Sequence, residues 1–139
     1  MWRDAYNTGI EPIDRQHRQF VRLIEELEVA IQSRLDTKIL SVIDEFSNYA
    51  SKHFRQEERL MCDNDYPDCD RHMSLHSDYV DKINSFRNRR HEFGSNLKTL
   101  IYLREWFIDH ICTEDSKYAA FLKEKGVTCH LLDEPQRQN

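Results

Sequence analysis

Glycine and proline are scarce in this 139-residue chain, with three of each: Gly9, Gly94, Gly126 and Pro12, Pro67, Pro135. A sheet-rich domain needs far more turn residues, so the scarcity excludes most β architectures and favours long helices with few connections. No apolar run approaches the roughly 20 residues that span a bilayer, so no membrane partner is expected. The opening Met1-Trp2-Arg3-Asp4 lacks the apolar segment of a secretory signal, and the chain reads as soluble and cytoplasmic. Basic residues are outnumbered 20 to 25, leaving a formal net charge of -5 and no basic run, which argues against a nucleic-acid partner. The four cysteines, Cys62, Cys69, Cys112 and Cys129, show no paired CxxC spacing, so reduced thiols are expected. Six residues separate Cys62 from Cys69, a spacing that fits no usual zinc site.

What is present is helical periodicity. Four segments repeat buried-type residues at 3–4 spacing, the mark of helices that share a core. They run Ile13, His17, Phe20, Ile24, Leu27, Ile31; then Ile39, Ile43, Phe46, Ala50, His53, Glu57, Leu60; then His72, His76, Tyr79, Ile83, Phe86. The fourth, less regular, runs Leu100, Leu103, Trp106 or Phe107, His110 and on towards Tyr118 and Phe121. Pro12 suits a first helical turn, Asp36 or Thr37 a cap for the second helix, Asp68 for the third and Ser95 for the fourth. Gly126 reads as a C-terminal stop. Short connections make the predicted fold all-α, an up-down-up-down antiparallel four-helix bundle. A single domain fills 1–139: a short N-terminal arm over 1–11, the bundle over 12–125 and a polar tail over 126–139.

The stripes are interrupted by polar residues at inward positions: His17, His53, Glu57, His72, His76 and His110. A lone histidine on an apolar face is ordinarily a satisfied core residue. Five of seven histidines on the inward faces of four helices, with a buried acid beside them, resist that reading, because burying so many unpaired polar groups costs several kcal/mol each on typical scales. A metal would satisfy them. His53 and Glu57 are four apart, as are His72 and His76, so each pair projects from one helix face. Glu58 turns about 100° away and reads as a solvated charge. Asp115, five residues after His110, lies roughly 140° from it on an ideal α-helix, so α-helical phase does not place it in the same site. Five imidazoles and one or two carboxylates exceed the four ligands of one zinc and suit two transition-metal ions. Ligand type alone leaves copper and manganese open.

These residues resemble the hemerythrin family, in particular its bacterial members, over nearly the whole chain from Trp2 to about Leu122. The carrying motifs are Gly9-Ile10-Glu11-Pro12-Ile13-Asp14-Arg15-Gln16-His17, His53-Phe54-Arg55-Gln56-Glu57-Glu58, Tyr66-Pro67 leading to His72-x-x-x-His76, and Trp106 through His110-Ile111 to Asp115. The resemblance implies a hemerythrin-like domain with two iron ions, oxo- or hydroxo-bridged, and implies Glu57 and Asp115 as carboxylate bridges. His72, His76 and His110 would complete one iron, while His17 and His53 would hold the other and leave a position open for dioxygen.

The function expected on that resemblance is reversible dioxygen binding for storage, delivery or sensing, and not an enzyme's. The alternatives are a sensor domain for oxygen, redox state or nitric oxide, attached to an output domain or signalling partner, or a di-iron oxidase or peroxidase. No histidine has a glutamate three residues before it, which argues against the carboxylate-rich enzymes. Cys112 stands where a residue bordering the pocket is expected, and it motivates the sensing alternative. Tyr79 stands where the family more often has phenylalanine, and Tyr102, Trp106 and Tyr118 are read as core aromatics. His91 is placed near the end of the third helix and His130 on the surface.

Overall fold

In a computed structural model, residues 2–127 are described, save the side chains of Phe93 and Ser95; His130 and Cys129 lie outside the described residues. A short 3-10 turn, Asp4–Tyr6, precedes α1 (Glu11–Ser33), α2 (Asp36–Asp63), α3 (Cys69–Asn88) and α4 (Phe93–His110). A five-residue π-helical segment, Ile111–Asp115, continues α4 into α5 (Ser116–Lys125), so α4 and α5 form the fourth rod of the bundle. No strand occurs among the described residues. The helices pack α1 on α2, α2 on α3, α3 on α4 and α4 on α1, closing an all-α four-helix bundle.

Local chemistry explains most of the boundaries. Pro12 sits in the first turn of α1, where its missing N–H is not needed, and Gly126 ends α5 in the left-handed conformation at φ 72°. Asp68 is the N-cap position of α3. Two capping expectations are corrected. Leu35, not Asp36 or Thr37, is the N-cap of α2, and α4 starts at Phe93 behind Glu92, which puts Ser95 inside the helix. In each case the helix begins one or more residues earlier than its polar residue suggests; Asp36 instead occupies the first turn, where an acid favours the helix dipole.

The arm is fixed by a buried acid. Asp14 Oδ1 accepts from Thr8 N at 2.7 Å and Thr8 Oγ1 at 2.8 Å, and its Oδ2 accepts from Gly9 N at 3.2 Å. Gly9 takes φ 89°, and a Cβ there would collide with the ammonium end of Lys123, which donates to Thr8 O.

The apolar residues form two clusters. One gathers Phe20, Ile24, Phe46, Ala50, Phe54, Tyr79, Leu103 and Phe107 with their neighbours; the other gathers Ile13, Leu60, Met61, Tyr66, Cys69, Tyr118 and Leu122. Each helix passes from one cluster to the other through the polar stretch between them: Ile13 to Phe20, Phe54 to Leu60, Cys69 to Tyr79 and Phe107 to Tyr118. The buried histidines and acids thus form a polar layer between two dry ones.

Candidate metal centre

His17, His53, Glu57, His72, His76, His110 and Asp115 are all buried, with at most 3% exposure. The structure brings all seven together. Around Asp115 Oδ1 and Glu57 Oε1 stand three imidazoles: His72 Nε2 at 2.9 Å and His110 Nε2 at 3.2 Å from the former, His76 Nε2 at 3.4 Å from the latter. The other oxygens of the same two carboxylates face the remaining pair, with His17 Nε2 3.0 Å from Asp115 Oδ2 and 3.1 Å from Glu57 Oε2, and His53 Nε2 2.9 Å from Glu57 Oε2. Each carboxylate therefore turns one oxygen to a three-histidine nest and one to a two-histidine nest.

Asp115 reaches this layer because the chain is not α-helical there. A π-helix closes i→i+5, so residues five apart align, and Ile111–Asp115 carries Asp115 back to the His110 face. Such bulges recur at functional sites. Arg71 on α3 holds the neighbouring Glu114 with two hydrogen bonds, 2.6 and 3.0 Å, and ties the segment to the helix that bears His72 and His76.

Two further side chains orient the ring nitrogens. Glu58 Oε2 lies 2.8 Å from His76 Nδ1, and Gln16 Oε1 lies 2.6 Å from His53 Nδ1. Gln16 Nε2 in turn donates to Gln56 Oε1 at 3.1 Å, which sets the amide's orientation. A carboxylate or amide oxygen only accepts, so each Nδ1 carries the proton and each Nε2, when the ring is neutral, aims a lone pair inward. Glu58 is thus partly buried and engaged, contrary to its expected role as a solvated charge; helical phase turns it off the core stripe but towards α3. Sequence periodicity has no means of finding Gln16 or Glu58, since both act through a partner on another helix.

Within the layer the carboxylates and imidazoles compensate one another's charge. Burial alone would push the His17 imidazolium to lower pKa, but the carboxylates of Asp115 and Glu57, 3.0 and 3.1 Å away, outweigh it and raise the value to about 9. Burial is likewise outweighed at His76 by Glu57 and Glu58, again giving about 9. Burial would raise both acids, yet the surrounding histidines keep Glu57 and Asp115 well below their ordinary carboxylate values. Glu57 Oε1, both Asp115 oxygens and His53 Nε2 nevertheless face their neighbours without hydrogen-bonding geometry. Buried polar atoms left so are costly, and cations among them would engage every one. The donor atoms of Glu57, His72, His76, His110 and Asp115 lie within 4.8 Å of one another, as do those of His17, His53 and Glu57. The residues fit two metal ions sharing two carboxylates.

Other expectations turn out differently. Cys112 is exposed beside the arm, with Ala5 O 4.0 Å from its sulfur, and does not border the metal layer; partial burial and Asp109 raise its thiol pKa. It falls within the π segment, whose wider turn carries it outward. Tyr102 is 41% exposed and not a core aromatic, whereas Tyr79 and Tyr118 are fully buried. Trp106 is half-buried and stacks on both His110 and Tyr79, whose hydroxyl donates to Leu103 O at 2.8 Å. His91 is exposed and pairs with Asp36 at 3.4 Å. Cys62 and Cys69 are joined in a disulfide, not reduced: the turn between α2 and α3 brings their Cα atoms to 5.8 Å, a proximity that linear spacing does not reveal.

Fold and site together define a helical bundle with a buried, histidine-rich cluster in which two groups of side chains that could hold a cation share a carboxylate. The family model for the hemerythrin HHE cation-binding domain matches residues 8–122, and the chain belongs to the hemerythrin family. It is similar to the bacteriohemerythrin of Stenotrophomonas maltophilia, 33% identical over 126 residues that cover 88% of this chain and 81% of the relative. The bacteriohemerythrin of Pseudomonas aeruginosa is 35% identical over 85% of this chain and 78% of its own length. A myohemerythrin of Theromyzon tessulatum is 28% identical over 84% and 88%.

Proposed function

We propose that this chain binds dioxygen reversibly at two iron ions held by His17, His53, Glu57, His72, His76, His110 and Asp115. The observation that carries the proposal is the division of each shared carboxylate between a nest of three imidazoles and a nest of two. The nest of His17 and His53 offers one imidazole fewer, so a cation held there would keep a position for an external ligand. The irons, when bound, supply the electrons that dioxygen takes up and returns. The chain's own contribution is to fix the donors and keep water out. His17 packs edge-on against Phe107 at 5.6 Å, Phe107 stacks on Phe20 at 3.8 Å, and Phe20 meets His53 at 6.0 Å, so the nest is roofed by aromatic faces. Tyr49 stacks on His53 with its hydroxyl donating to Gln16 O, out of the layer. A dry, rigid donor set of this kind favours binding and release over bond cleavage.

No described helix is long and apolar enough to cross a membrane; the cytoplasm is the proposed location. The sensing alternative loses the observation that motivated it, since Cys112 is exposed beside the arm.

The test is to purify the chain anaerobically, measure iron per chain, then admit and remove dioxygen while recording the visible spectrum. About two irons per chain are expected, with a charge-transfer band that comes and goes with the gas. Failure to take up iron on reconstitution would overturn the proposal, and irreversible conversion to the ferric state would favour catalysis or sensing.

A further inference from the structure

A second group of soft donors sits at the α2–α3 corner. Met73 Sδ lies 3.8 Å from Cys62 Sγ and 3.9 Å from Cys69 Sγ. Cys69 and Met73 are one turn apart on α3, so their side chains share a face, and Cys62 approaches from the last turn of α2. Cys69 is buried against Tyr66 and Leu60, whereas Cys62 and Met73 are exposed, so the group is backed by core and open to solvent. Core packing does not account for Met73, which is 38% exposed and belongs to neither apolar cluster. Asp63, Asp65, Asp68 and Asp70 surround the corner in sequence, all exposed.

We propose that Cys62, Cys69 and Met73 form a site for one monovalent copper ion once their disulfide is reduced. Metal–sulfur bonds of about 2.3 Å set at trigonal angles separate the sulfurs by about 4 Å, and Met73 already stands at that distance from both cysteines. Two thiolates and a thioether are a soft set that selects copper(I), while zinc takes four ligands, drawn from thiolate, imidazole and carboxylate. The exposed acids favour the approach of any cation; the sulfurs choose among them.

The redox step balances with a dithiol as reductant. A reductant thiolate attacks one sulfur of the Cys62–Cys69 bond, the other leaves as thiolate, and the reductant's second thiol closes its own disulfide and frees the first. Copper(I) then replaces the thiol protons on Cys62 and Cys69, releasing two protons to solvent, with Met73 Sδ as the third donor. In the oxidised chain the two sulfurs are bonded to each other and the site does not exist. The site is thus redox-gated. It shares no donor with the seven-residue iron layer, and the inference does not depend on the dioxygen reading.

The test uses the iron-loaded chain carrying Cys112→Ser and Cys129→Ser, which leaves Cys62 and Cys69 as its only cysteines. After reduction with a dithiol and removal of the reductant under nitrogen, copper(I) is titrated against a chromophoric competing ligand, and the sulfur shell is counted by X-ray absorption. One copper per chain with three sulfur neighbours is expected. Cys62→Ser should abolish uptake, and Met73→Leu should lower affinity by about tenfold and leave two sulfurs, with iron content unchanged in both. Both altered positions are exposed, and all chains are compared in the reduced state, where the Cys62–Cys69 bond is absent from each; the visible band of the iron layer is read in parallel and reports separately on that site. The inference is overturned if the reduced chain takes up no copper, if the oxidised chain takes up as much, if Met73→Leu binds with undiminished affinity, or if zinc is taken in preference.

Discussion

Glu58 and Gln16 decide which nitrogen of His76 and His53 faces the metal layer, because each offers only an oxygen to Nδ1. Removing such a partner commonly costs 10–100-fold in metal affinity. Glu58→Ala is therefore expected to lose iron to a competing chelator at about 10–100-fold lower chelator concentration, while Glu58→Gln, which keeps an oxygen acceptor, should retain most of the affinity. Equal behaviour of the two variants would assign Glu58 a role other than holding the His76 proton. His53→Ala acts on the layer itself, and its expected result is a chain that keeps iron in the three-histidine nest but gives no reversible dioxygen band; a variant that still shows the band would place the open position elsewhere. Six of the seven inward donors were legible in the sequence because polar residues at core phase stand out against apolar neighbours. Glu58 is not, since its neighbour on α3 is supplied by the fold, and the Cys62–Cys69 bond is hidden for the same reason: a turn, not a spacing, brings the two together.

At the scale of elements, the π segment and the arm carry the arguments. Four steps along an α-helix turn about 400°, so a residue four positions on returns to within about 40° of the starting one. Deleting the exposed Thr113 would place His110 and Asp115 four apart and let a regular α-helix present both to the layer, with α5 still in register. Two irons per chain are expected to remain. Inserting an alanine after Thr113 makes the spacing six, which neither helix type aligns, and iron content should fall; if the deletion lost iron and the insertion kept it, the π geometry would not be what positions Asp115. In the arm, Asp14→Ala leaves the Thr8 and Gly9 donors without their acceptor. The expected cost is about 1–3 kcal/mol in denaturant unfolding, together with faster proteolysis ahead of α1. No change in either would mean that the arm is held by Lys123 and by the packing of Trp2 and Tyr6 on the core instead. The helices themselves were legible from their stripes, but the π segment was not. Its only trace is a five-residue gap between His110 and Asp115, which ideal α geometry reads as a misfit and a bulge absorbs.

For the whole molecule, the metal-free chain must bury five histidines and two acids between two apolar clusters, and it does so by pairing them with one another. That pairing has a pH signature. The folded-state pKa of His17 and His76, about 9, lies above the ordinary value of 6.5. Their contribution to stability is accordingly complete below 6.5 and lost as pH rises through 9. Glu57 and Asp115 are lowered, so theirs is present above the ordinary carboxylate values and lost as pH falls through the depressed ones. The metal-free chain should therefore melt at a steadily lower temperature as pH climbs from 6.5 towards 9. Metal binding runs the other way. It needs neutral imidazoles, so loading displaces the protons on His17 and His76, and apparent affinity should rise by up to about tenfold per displaced proton for each pH unit in that window. The gap in melting temperature between loaded and metal-free chain is thus expected to widen between about pH 6.5 and 9, with protons released on loading measurable in weakly buffered solution. A gap that stays constant or narrows across that window would mean that the two imidazoles are already neutral before the metal arrives.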